Sequence, residues 1–327
     1  MSPSATHAFA LLRPSRALGA EAANAGLLGP YTLGIEVTEP ELAARCGLGV
    51  IDPQHGPAPG KGAAIEAALD WPLPPAGARL VTIRPDADAV GAMAVLALRA
   101  DGAVLGDEAR ARIALIARWD GFAQGPWRDF AAARGPLPRP AGTEDVRLFP
   151  ALYAAMAAVA SSPALPLDGR VAAFRRWLAT GAIPPAARAA AEASAEALAR
   201  AWNEGGLAIA RARGAPLAIV RGPALGGLAL GYRFAPVVIA ENPGAGPGAG
   251  TGDADGRGGA RKVTIAQFAP GHADLAALTR ALNRREPGWG GSPTIIGSPQ
   301  GVGTRLPMAV IRSLTRNHLV VASLRAR

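Results

Sequence analysis

The chain has 327 residues, half of them hydrophobic, with 34 basic against 25 acidic side chains and a formal net charge of +9. That length predicts two domains rather than one core, and a single cysteine, Cys46, excludes an intrachain disulfide framework and a thiolate metal cluster. No apolar run reaches the roughly 18 uncharged residues of a membrane span, and the N-terminus lacks the order of a secretory signal, so the expectation is a cytoplasmic protein without a membrane partner.

Arginine supplies nearly all the positive charge, since Lys61 and Lys262 are the only lysines. The arginines are scattered, with no block of five or six. They read either as solvated helix faces on an arginine-biased background or as surface for an anionic partner. In chain order, residues 1–28 show no firm periodicity and read as an irregular N-terminal segment. YTLGIEV (31–37) predicts a strand, EPELAARCG (39–47) a short helix closed by glycine, and LGVID (48–52) a second strand broken at Pro53. A short helix at 63–69, a strand at 78–84 and a helix at 87–99 follow. This alternation predicts an α/β layer with a mainly parallel sheet, over residues 29–143.

Residues 107–132 read as helical, interrupted around GFAQGPW, and 144–213 as almost wholly helical. The stretch 144–205 is therefore expected to be a helical linker, with an alanine-rich helix after Pro184 and Pro185. Then the pattern changes. PLAIVRG (216–222), LALGYRF and PVVIAEN are strand-like, and the glycine-rich 242–261 reads as a mobile loop. RKVTIAQF (261–268) predicts a strand and 273–285 a helix. EPGWGGSPTIIGSPQG is a glycine-rich turn around the short strand TII, and a helix near 306–316 and the strand HLVVASLR close the chain. The predicted fold is thus α/β: an N-terminal parallel-sheet domain, a helical linker and a smaller C-terminal α/β domain over 206–327.

The chemistry is expected at strand exits. In VTIRPDADAVGAMAVL (81–96) a strand stops at Arg84 and Pro85, delivers Asp86 and Asp88, and enters a helix in which Gly91 permits close packing. Open α/β sheets bind ligands at such junctions. An N-cap role explains one aspartate; two carboxylates this close repel unless a cation lies between them. GVIDPQHG (49–56) brings Asp52 and His55 to a second strand exit, where imidazole with carboxylate suits manganese, iron or zinc. IARWDGF (116–122) adds Asp120. Four carboxylates and one histidine are the inventory of a one- or two-metal phosphoester hydrolase.

TIRPDADAVGAMAVL resembles the first motif of the DHH phosphoesterases, His-x-x-Pro-Asp-x-Asp-Ala-x-Gly-Ser followed by an apolar helix. The resemblance implies an N-terminal α/β domain carrying two manganese ions, a long helical linker and a smaller C-terminal α/β domain that binds substrate. GWGGSPTIIGS (288–298) is similar to the family's C-terminal Gly-Gly-Gly-His-x-x-Ala-(Ala/Ser)-Gly turn. Thr82 stands at the first motif's histidine position and Ala92 at its serine position. No Asp-His-His triplet occurs, and Ser292 and Pro293 stand near the place of the turn's histidine. Either the strand order is rearranged, or His55 replaces the missing histidine from a neighbouring strand.

The expected function is a manganese-dependent phosphoesterase. Asp52, His55, Asp86, Asp88 and Asp120 would hold one or two ions, with Asp86, Asp88, His55 and Arg84 as the catalytic set. Arg84 or Arg305 would neutralise the phosphate, and Gly290, Gly291, Ser292 and Ser298 would seat the remainder of the substrate. The expected partner is a phosphate-containing small molecule or a short single-stranded nucleic acid, with a homodimer left open. The alternative is a catalytically inactive nucleotide- or RNA-binding regulatory protein on the same scaffold. The glycines of GLGVID and GWGGSP lack both dinucleotide-fingerprint and P-loop spacing, which sets those classes aside.

Overall fold

A computed structural model describes residues 7–15, 19–53, 62–120, 151–212, 214–222, 227–232, 234–242, 261–268, 270–291, 293–299 and 303–320. His55, Ser292 and nearly all of the glycine-rich segment read as a mobile loop lie outside the described residues. Two compact units emerge, one of residues 1–121 with 149–193 and one of residues 122–148 with 194–327.

The first unit is built on a four-stranded parallel sheet of β1 (Ala8–Leu11), β2 (Thr32–Ile35), β3 (Val50–Ile51) and β4 (Arg79–Thr82), in the order β1-β4-β2-β3. The N-terminal segment is therefore not wholly irregular. The apolar AFAL run pairs with β4 as an edge strand, and α1 (Ala20–Asn24) follows it. Side chains alternate across the sheet, as the two-residue period of a strand requires. Leu33, Ile35, Ile51 and Leu80 enter the main core on one face, while Leu12 and Val81 enter a smaller one on the other.

The crossover from β2 to β3 passes through α2 (Pro40–Ala43), whose Leu42 lies in the smaller core. The chain leaving the neighbouring β4 passes instead through α4 (Ala87–Ala100) on the main-core face. Connections from adjacent strands thus part to opposite faces, the arrangement in which open α/β sheets place ligands at the strands' carboxyl ends.

Helix α4 is buried from Ala87 to Leu98, as a helix apolar on all sides must be. It packs against α3 (Ala64–Ala67), α5 (Asp107–Asp120), α6 (Ala151–Ser161) and α7 (Leu167–Thr180). At Gly91 an added Cβ would stand 2.5 Å from Ile65 Cδ1, so glycine is what lets α4 approach α3. Part of the segment read as a linker belongs to this core. Tyr153, Met156, Phe174 and Trp177 recur at helical spacing on α6 and α7 and face inward, with Phe174 and Trp177 edge to face at 6.1 Å. The alanine-rich helix, α8 (Pro185–Asn203), spans the point where the two units divide.

The second unit carries a mixed six-stranded sheet in the order β5-β6-β7-β8-β10-β9: β5 (Ala208–Arg211), β6 (Leu217–Arg221), β7 (Val237–Asn242), β8 (Lys262–Gln267), β9 (Gly290–Gly291) and β10 (Ile295–Gly297). Residues 208–211, read as helical, form its antiparallel edge instead. LALGYRF, read as a strand, instead supplies most of the short helix α9 (Gly227–Gly231), brought so close to β7 that a Cβ at Gly231 would meet Val238 at 2.4 Å. The other face, with Leu217, Val237, Ile239, Val263, Ile265 and Ile296, is covered by α10 (Leu275–Asn283) and α11 (Met308–Asn317). No described helix is long and apolar enough to cross a membrane.

Candidate metal centre

Two strands and two helices of the first unit deliver acids to one place. At the end of β2 the chain turns at Glu36, whose φ of 51° makes it the one described non-glycine residue with positive φ. A side chain held there costs about 1–2 kcal/mol, and such strain clusters at functional sites. The Glu36 amide still donates to Ile51 O at 2.9 Å, so the strand edge stays tied while the carboxylate swings away.

From β4 come the two aspartates, each with a definite local task. Asp86 is the N-cap of α4, accepting from Ala89 N at 3.0 Å. Asp88 caps a different helix. The residue at the start of α3 is Ala63, which has no side chain able to cap. Asp88, with no exposed surface, accepts from Ala64 N at 2.6 Å and Ile65 N at 2.8 Å. Capping therefore accounts for both aspartates, and the PDAD spacing alone needs no cation. What calls for one is their company.

Carboxylate oxygens of Glu36, Asp88 and Asp120, from β2, α4 and the last turn of α5, all lie within 4.8 Å of one another. Two ionised carboxylates at that separation repel by about 3 kcal/mol at an effective dielectric constant near 20. Burial, the nearby Asp86, Asp88 and Asp120 charges and a hydrogen bond to Asp86 hold the Glu36 carboxyl well above the usual range. Burial first, then Asp120, push Asp88 up in the same way, although its two amide hydrogen bonds pull it down. Charge-assisted bonds of that kind are worth about 1.5–3 kcal/mol each, and here repulsion and burial outweigh them. Tyr153 of α6 faces the same field: burial and then Asp120, Asp86, Asp88 and Glu36 raise its phenol, which keeps its proton.

The three converging acids can hold a metal ion. An all-oxygen donor set suits hard divalent cations, and a dication would offset the burial and repulsion that raise Glu36 and Asp88.

Of the residues expected from sequence, Asp88 and Asp120 meet in this group, and Asp86 lies beside it through Glu36. Asp52 follows β3, next along the ladder from Glu36, and is not among the three converging acids. Arg84 extends into solvent with its Nη2 3.5 Å from Asp86 Oδ2. Thr82 is fully buried, and its hydroxyl donates to Arg84 O at 3.3 Å, so it ties the strand exit. Glu36 is the acid that sequence reasoning misses. Its signal is there, since GIEV is a third strand running out into an acid, like GVID and TIRPD. Tyr153 offers none, being one aromatic on a helical stripe.

The residues expected to seat substrate belong to the second unit. Gly290 and Gly291 form β9, and a Cβ at Gly291 (φ 150°) would collide with Ile295 O at 2.1 Å. Buried Ser298 is occupied as a strand tie: its Oγ accepts from Val263 N at 3.0 Å. Arg305 is exposed, and its amide donates to Glu286 Oε1 at 2.9 Å. Glu286 also accepts from Trp289 Nε1 and Thr304 Oγ1, which fixes this turn. Cys46 is a buried free thiol, and burial pushes it up to about 11. Set beside family models, curated proteins and solved structures, the chain matches none of them.

Proposed function

We propose that this chain is a metal-dependent phosphoesterase with a DHH-like metal centre, using one or two manganese ions. The observation that carries the reading is the convergence of Glu36, Asp88 and Asp120 at the carboxyl edge of a parallel sheet, at its switch point. Glu36, Asp88 and Asp120 would hold the first ion, with Asp86 beside them. Asp52 and His55 are the candidates for a second. When bound, such an ion supplies Lewis-acid polarisation of a phosphoryl oxygen and brings the pKa of water towards neutrality.

The chain's own groups do the rest. Arg84, anchored loosely by Asp86 and otherwise in solvent, meets the phosphate oxygens of an incoming ester. The Tyr153 hydroxyl, held protonated, is a hydrogen-bond donor in a place otherwise made of acceptors. The strained Glu36 and the capping Asp88 are fixed before any ligand arrives, which is the preorganisation that electrostatic catalysis requires. The substrate class is a phosphodiester or phosphate ester of a short oligonucleotide, a dinucleotide or a small anion.

A regulatory, nucleotide- or RNA-binding role on the same scaffold is favoured by one observation, that both aspartates of the motif have structural work as helix caps. Titration of the demetallated protein with manganese separates the two. Manganese-dependent release of phosphate or mononucleotide from a panel of nitrophenyl esters, short oligonucleotides and cyclic dinucleotides, abolished in Glu36→Gln and Asp120→Asn, supports the esterase. Stoichiometric manganese binding without turnover supports the regulator. No manganese binding at all overturns both uses of the site.

A further inference from the structure

The positive charge of this protein sits in one of its two units. Residues 1–121 and 149–193 hold 14 basic against 15 acidic side chains, a net −1; residues 122–148 and 194–327 hold 20 against 10, a net +10. Within the second unit, residues 270–320 carry Arg280, Arg284, Arg285, Arg305, Arg312 and Arg316 against two acids, Asp274 and Glu286. Both acids are engaged. Asp274 caps α10 by accepting from Ala277 N at 2.9 Å, and Glu286 accepts from Trp289, Thr304 and the Arg305 amide.

Four of these arginines lie on or at the end of two neighbouring helices. Helices α10 and α11 pack against each other. Both turn their apolar stripes, Leu275, Leu278 and Leu282 on one and Met308, Ile311 and Leu314 on the other, to the same face of the sheet. Arg280 and Arg312 lie on the exposed side of each helix, followed four residues later by exposed Arg284 and Arg316. Neighbours at that spacing lie one above the other, and like charges there weaken a helix. Two such like-charged pairs on adjacent helices present a positive surface of the kind an anionic partner is drawn to.

The missing residue type is equally informative. Trp289 is the only aromatic between 270 and 320, and it is buried. Single-strand binding surfaces rely on exposed rings on which bases stack. A surface of guanidinium groups without rings contacts phosphates and leaves the bases unread.

We propose that the α10–α11 face binds the sugar–phosphate backbone of double-stranded nucleic acid without regard to base sequence. This binding is independent of the acidic centre and needs no metal. The test is fluorescence anisotropy of the full chain, metal-free, with labelled duplexes of unrelated sequence across a potassium chloride series. On a duplex of about twenty base pairs, Arg280→Gln, Arg284→Gln, Arg312→Gln and Arg316→Gln together should lower the slope of log K against log salt by about 3 to 4, near 0.9 for each phosphate that is no longer neutralised. Different sequences should give the same affinity.

A second quadruple variant, Arg13→Gln, Arg45→Gln, Arg176→Gln and Arg188→Gln, removes the same charge from exposed positions of the first unit and should leave the slope unchanged. An equal drop in both variants would overturn the proposal, as would an unchanged slope in the first. Binding to phosphatidylglycerol vesicles in preference to the duplex, or tighter binding to a single strand of equal phosphate count, would overturn it as well. If far-UV circular dichroism shows that the first quadruple variant has not folded, the two double variants decide, each expected to show about half the change in slope.

Discussion

Asp88→Ala separates what the acidic centre does for the fold from what it does for a ligand. The side chain is fully buried and accepts from Ala64 N and Ile65 N, so alanine leaves two interior amides without an acceptor. At about 1–3 kcal/mol for each, the loss is about 2–6 kcal/mol. An opposing effect comes from Glu36 and Asp120, whose carboxylates lie within 4.8 Å. Removing Asp88 relieves up to about 3 kcal/mol for each ionised neighbour. That relief shrinks as the pH is lowered, because Glu36 and Asp88 are held well above the usual carboxylate range and take up protons early. Urea unfolding of metal-free protein, followed by the fluorescence of buried Trp177 among the other tryptophans, reads both conditions. Asp88→Ala should lose about 2–6 kcal/mol at pH 5 and visibly less at pH 8. Glu36→Gln, whose side chain caps no helix, should stay within about 1 kcal/mol of the parent at pH 5. A variant as stable as the parent at pH 5 would refute the cap on α3. Equal losses at pH 5 and pH 8 would refute the repulsion.

Other outcomes follow from the same geometry. Since Glu36 and Asp88 are raised when folded, the unfolded chain releases their protons first as pH rises. Their favourable contribution is therefore complete below the ordinary carboxylate range and is lost as pH climbs through the raised values. Metal-free protein should accordingly melt lower at pH 8 than at pH 5, and Glu36→Gln should flatten that trend in a calorimetric scan. Manganese at about a hundred times its dissociation constant should raise the parent's melting temperature by about 5–10 °C; Asp120→Asn should abolish the rise. Gly91→Ala should cost about 1–3 kcal/mol by pressing on Ile65, measurable by urea unfolding. Gly291→Ala should weaken the β9–β10 pairing, seen as faster amide exchange at Gly297, which is paired with Gly290, since backbone rather than a movable side chain blocks the new Cβ.

Much of the first unit is legible because its strands are short β-branched runs ending in an acid or a turn. The predicted strands at 31–37, 48–52 and 78–84 contain β2, β3 and β4, and the predicted helix at 87–99 is α4. The edge strand β1 escapes because four residues close to a proline carry no period. LALGYRF misleads because its apolar residues fit both a strand and a buried helical turn, and Gly231 against Val238 decides for the turn. Residues 151–180 read as part of a helical linker over 144–205, although Phe174 and Trp177 anchor a core. At the centre, Asp88 and Asp120 are legible as acids at element ends. That Asp88 caps α3 is not, since the bond spans 24 residues and depends on the packing of α4 that Gly91 permits.

The double duty of Asp88 has a consequence for descent. A lineage that abandoned chemistry at this centre would shed Glu36 and Asp120 readily, for losing either removes a repelling charge and, at Glu36, invites a glycine that suits the turn. Asp88 would persist, held by two amides of another helix whatever became of the reaction. Among relatives of this chain, an aspartate at position 88 would therefore report on folding, while an acid at the left-handed position 36 would mark those whose acids could still hold a cation.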